Sequence, residues 1–123
     1  IMTLSLVFRI QAVMMAFFGV MMLFVPGVMM ESFNMAASDQ MAGMMQSMSP
    51  LMLAVAYISW QMPNWASESL KSIGLVFAVL HLTWPILQYY QMATGVFPLD
   101  AAGIGGLAPD VILAILFYWK SRT

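Results

Sequence analysis

The chain alternates long apolar stretches with short polar connections rich in proline and glycine. A first run extends from about Leu4 to Val25 and stops at Pro26-Gly27, a pair that breaks regular structure. A second covers Ala42 to Met62, is interrupted by Pro50 and closes at Pro63-Asn64. The third, Leu70 to about Gln91, contains Pro85, and a shorter fourth runs from about Ile104 to Trp119 and ends against Lys120 and Arg122. Each approaches the roughly 20 apolar residues that a hydrocarbon layer requires of a spanning helix. None shows the two-residue alternation of a membrane barrel strand. In lipid, the helix is then the remaining way to pair every backbone group. The pattern predicts an all-α integral membrane bundle of four transmembrane helices in a single domain over residues 1–123. Two of the helices are expected to kink, at Pro50 and Pro85, unless neighbours resupply the lost hydrogen bonds.

The connections differ in kind. Residues 26–41 mix Met29, Met30, Phe33 and Met35 with Glu31, Asn34 and Asp39, as expected of a short amphipathic segment on the membrane surface. Gly95, Pro98, Gly103, Gly105 and Gly106 predict an irregular loop before the fourth run.

Composition agrees with the pattern. Apolar residues make up 63% of the chain and charged residues 7%, against roughly 25% charged in an average soluble domain. So few charges cannot cover a globular surface in water. A net charge of −1 offers nothing to nucleic acid. The absence of cysteine removes disulfides, thiolate metal sites and cysteine nucleophiles.

Charge placement predicts the topology. Arg9, Lys71, Lys120 and Arg122, all the basic residues of the chain, fall on the side shared by the N-terminus, the second connection and the C-terminus. Glu31, Asp39 and Asp100 fall opposite, with Asp110 nearest that side, and only Glu68 joins the basic residues. Both termini are therefore expected on the cytoplasmic, stromal or matrix face. Tyr57, Trp60, Trp65, Tyr118 and Trp119 would mark the basic interface, Tyr89 and Tyr90 the other. The chain opens on Ile1, which fits either a leader removed from an imported organellar protein or a later starting point.

His81, the only histidine, sits midway along the third run. Gly74, Ala78, Pro85 and Gln88 share its helical face. Small residues on one side of it would let a flat ring approach, with the imidazole as axial ligand to the metal of a chlorophyll-type ring. The alternative is a neutral histidine that hydrogen-bonds a carbonyl or Gln88 and glues helices together. Arg9 can snorkel to the basic interface or meet a lipid headgroup or a partner's carboxylate, with Trp60, Trp65 and Trp119 as companion partner or lipid contacts. Asp110, just after Pro109, reads as a first-turn carboxylate favoured by the helix dipole.

Methionine is used 15 times. Met41, Met44, Met45, Met48 and Met52 form a stripe at helical spacing, and thioethers suit Cu(I). A copper path would normally include cysteine or several histidines, and flexible packing explains the stripe better. Small pairs at four-residue spacing, Ala12/Ala16, Gly43/Ser47 and Gly74/Ala78, allow close helix approach.

No catalytic constellation appears: His81 lacks a second titratable group at mid-depth, and phosphate loops, zinc spacings and nucleophile triads are missing. The expectation is a non-enzymatic accessory subunit of a large membrane complex. Its specific form is an energy-converting assembly such as a thylakoid photosystem, holding chlorophyll, carotenoid or structural lipid at the seams with other membrane subunits. The alternative is a self-standing oligomeric small transporter or channel.

Overall fold

The computed structural model describes residues 2–32, 36, 38–95 and 105–123. Five α-helices cover most of them: α1 (Leu4–Phe24), α2 (Pro26–Ser32), α3 (Asp39–Trp65), α4 (Leu70–Ala93) and α5 (Ala108–Arg122). A 3-10 turn, Ser67–Ser69, joins α3 to α4, and no strand occurs among the described residues. Three of the helices are long and apolar enough to cross a membrane. They are α1, α3 and α4, the last counted together with its 3-10 turn.

Local chemistry explains the boundaries. Thr3 caps α1 by accepting from the Leu6 N–H, and Ser38 caps α3 by accepting from the Met41 N–H. Asp39 follows in the first turn of α3, where the dipole favours a carboxylate. These caps start α3 three residues before the apolar run that marks it. Pro63 does not close the helix as the sequence pattern suggests: α3 continues to Trp65, and the Ala66 N–H still reaches the Met62 carbonyl. A proline removes one hydrogen bond, and the next turn can go on without it. At Pro50 a replacement donor is on hand. Ser49 Oγ donates to the Gln46 carbonyl at 2.7 Å, the acceptor that an amide at position 50 would have used. The third connection from residue 96 to 104, including Pro98, Asp100 and Gly103, lies outside the described residues, as do the start of the fourth apolar run at Ile104 and Phe33, Asn34 and Met35 of the first connection.

The helices pair as two antiparallel hairpins, α1 with α3 and α4 with α5, joined where α1 meets α4 and α5. Val7, Phe8, Leu70, Ala78, Leu113 and Phe117 form the buried centre of that junction. Phe8 meets Phe117 edge to face with centroids 4.9 Å apart, and Phe77 stacks on Phe117 at 5.5 Å. Such aromatic pairs contribute beyond their buried area. Gly74 makes the second hairpin tight, because Ser121 Oγ occupies the space where a Cβ would stand and Leu4 Cδ1 lies 3.2 Å from it. Gly19 does the same for the first hairpin, against Leu53. Many large apolar side chains point outward, among them Phe17, Val76, Ile86 and Ile115. That surface suits lipid rather than water.

Candidate functional site

Where the hairpins meet, four polar side chains from four helices form one hydrogen-bonded row. Asp110 Oδ1 lies 2.8 Å from His81 Nδ1, and His81 Nε2 lies 2.5 Å from Gln11 Oε1. The Gln11 amide in turn donates to Ser59 Oγ at 2.8 Å. The row thus crosses α5, α4, α1 and α3 in order. Gln11 and Ser59 are fully buried and His81 nearly so, while Asp110 is partly exposed. The imidazole lies flat on Phe117, with 5.8 Å between centroids and 7° between planes. Packing fixes the ring plane, and the two hydrogen bonds fix its rotation.

Counting protons limits the charge states. With the Gln11 NH2 placed toward Ser59 and its carbonyl toward His81, Nε2 carries a hydrogen and donates there. A further proton lies between Nδ1 and the Asp110 carboxyl. Whether it sits on nitrogen or oxygen, the His81–Asp110 pair together is uncharged. A neutral pair is the arrangement a low-dielectric interior tolerates most easily.

Beside the row is a cavity of about 460 Å³. Its walls come from α1 (Gln11, Met14, Met15, Phe18, Met22), Met29 of α2, Met52 and Val55 of α3, and α4 and α5 on the far side. His81, Asp110 and Gln88 supply polar groups to an otherwise mostly apolar lining. Leu80 and Trp84 line the cavity and are also 42% and 48% exposed, so this part of its wall borders the outer surface of α4. The volume and lining are typical of sites for small molecules.

The residues singled out in the sequence fall into different places. His81 and Gln88 both line the cavity. Gly74 and Ala78 do not: they are buried, and the space over Gly74 is filled by Ser121. Both ring nitrogens of His81 are hydrogen-bonded, so a chlorophyll-type ring could reach Nε2 only if Gln11 withdrew. Asp110 occupies the first turn of α5, and it also faces His81, a partnership that local sequence does not reveal. Gln11 and Ser59 are the other two members that sequence reasoning missed. The available signal was weak but real: Gln11 is the only amide in the first apolar run.

Arg9 is half-buried, with its guanidinium 5.1 Å from the centre of the Trp60 ring and Nε without a partner among the described residues. Lys120 lies over Trp119 at 3.9 Å, Arg122 faces Tyr118, and Trp65 packs on Tyr57. Basic and aromatic side chains therefore gather at one end of the bundle. The methionine stripe of α3 does not form a lined path. Met44 and Met48 face outward, and only Met52 of that set reaches the cavity. Among the described residues no cluster of three or more His, Asp or Glu side chains is placed to hold a metal ion. No protein-family model, curated protein or solved structure matches the chain.

Proposed function

We propose that this protein is a four-span membrane protein that holds a lipophilic small molecule in the cavity between its two hairpins. The observation that carries the reading is the cavity itself: apolar walls, polar groups gathered at His81, and a wall at Leu80 and Trp84 that borders the apolar outer surface. A molecule dissolved in the hydrocarbon layer reaches such a site without crossing water. The expected outcome is that protein purified in mild detergent yields, on organic extraction, a bound lipophile that the Val55→Trp variant lacks. Val55 lines the cavity, and an indole there fills it. Identical extracts from two equally folded proteins would overturn the proposal.

The fourth span in this reading is α5, although its 15 helical residues reach only about 22 Å. It is supported by its packing along α4, from Asp110 beside His81 to Ser121 beside Gly74. The reading includes kinks at Pro50 and Pro85, and puts both termini on the cytoplasmic-type face, where Lys71 Nζ meets the Thr123 backbone oxygen at 2.8 Å. A reporter fused after Thr123 is expected to stay on the non-translocated side, and activity on the opposite side would reverse the topology.

A role as an accessory subunit, beside other membrane subunits of an energy-converting complex, is compatible with the cavity and has its own support. Nothing lies within 4 Å of a Cβ placed on Gly43, and Ser47, one turn on, is exposed with its hydroxyl turned back to the Gly43 carbonyl. Of the three small-residue pairs, this one has no neighbour over its glycine among the described residues, and it presents a smooth seat for another helix.

A further inference from the structure

Resting on that reading of the cavity, we propose that its occupant is an uncharged, hydroxyl-bearing aromatic ring with a hydrocarbon tail, of the hydroquinone class. Charge makes the first selection. With the Gln11 carbonyl toward His81 the His81–Asp110 pair is neutral as a unit, and the cavity lining contains no Lys or Arg. An anion would find no counter-charge and a cation no net negative charge, so a neutral molecule fits.

Hydrogen-bonding capacity makes the second selection. His81 has both nitrogens committed, and Gln11 faces His81 and Ser59. What remains is the second carboxyl oxygen of Asp110, the amide of Gln88 and the indole N–H of Trp84, none with a partner among the described residues. With the pair's proton lying between Nδ1 and Oδ1, the free Asp110 oxygen only accepts. It suits a ligand O–H, not a ligand carbonyl. Gln88 can donate or accept, and so tolerates either.

Spacing makes the third. Asp110 meets α4 at His81, and Gln88 lies seven residues further along the same face of that helix, a backbone rise of about 10.5 Å. A six-membered ring with oxygens at opposite corners, extended by a hydrogen bond of about 2.8 Å at each end, spans a similar length. Phe77, Trp84, Met14 and Met15 also line the cavity, and ring faces and thioethers both pack well on an aromatic ligand. The exposed flank at Leu80 and Trp84 lets the tail run out into lipid.

The test compares three probes on the full-length protein in lipid nanodiscs: decylhydroquinone kept reduced, decylbenzoquinone, and decylbenzene. Equilibrium dialysis is expected to give the order hydroquinone, quinone, hydrocarbon, with the first two separated by about tenfold. Gln88→Leu, outside the buried row, should weaken hydroquinone about tenfold and leave decylbenzene unchanged. Asp110→Asn, which keeps size but adds a donor, should narrow the gap between hydroquinone and quinone. Equal binding of all three probes would overturn the ligand class while leaving the cavity reading intact. Failure of all three to bind would overturn both. Quinone binding more tightly than hydroquinone would overturn the assignment of Asp110 as acceptor.

Discussion

Gly74→Val is expected to separate α5 from α4 and to be among the most damaging single substitutions in the chain. A side chain at this position overlaps Ser121 Oγ and crowds Leu4. Ser121 is buried, on a helix that Phe117 and Leu113 already anchor in the core, so the new side chain must displace a buried hydroxyl or push α5 away. Overpacking of this kind costs about 1–3 kcal/mol and occasionally more. Thermal unfolding in detergent, followed by circular dichroism, should show a clear drop in midpoint, and the monodisperse peak in size exclusion should broaden. Gly43→Val is the matched control. It adds the same side chain to an open position, and the isolated protein should melt as the wild type does. Equal effects from the two would show that helix propensity, not the close approach, sets the importance of Gly74.

The second large effect concerns the buried row. Asp110→Leu leaves His81 Nδ1 facing an apolar side chain, and Gln11→Leu does the same to Nε2 while stranding Ser59. Removing one partner from a buried polar pair exposes the other to the full desolvation penalty, about 1–3 kcal/mol. Membrane interiors soften this, since interhelical hydrogen bonds in bilayers measure about 0.6–1.7 kcal/mol. The triple variant Gln11→Leu, His81→Phe, Asp110→Leu should recover most of the loss, because Phe keeps the stack on Phe117 and no polar group remains unpaired except Ser59. Unfolding of these two single variants, of His81→Phe alone and of the triple in one detergent provides the comparison. Losses that simply add would remove the claim that the row acts as a unit.

Much of the architecture was legible because lipid imposes simple demands. Run length and the lack of alternation predicted membrane helices, and the long apolar runs appear as α1, α3 and α4. The ends of α3 were less legible. Its start depends on the Ser38 cap, and its continuation past Pro63 depends on a helix losing only one bond there. The site was half legible. His81 stood out as the lone ionisable group at mid-span, and the alternative of a histidine bridging helices described its behaviour in kind. Its partners did not stand out, because Gln11 and Asp110 are 70 and 29 residues away and only the register of α1 and α5 against α4 brings them near. Spacing along one helix could suggest Gly74 and Ala78 as a ring platform. It could not reveal that Ser121 fills the space over Gly74.

The way the row is divided between hairpins bears on how the protein is made. Ser59 and Gln11 belong to the hairpin synthesised first, and His81 and Asp110 to the one synthesised second. Each half can therefore leave the ribosome and enter the bilayer with one polar pair already made, and only the Gln11 carbonyl and His81 Nε2 wait for one another. The bond from His81 to Gln11 is then a latch that closes last, when two finished inserts meet.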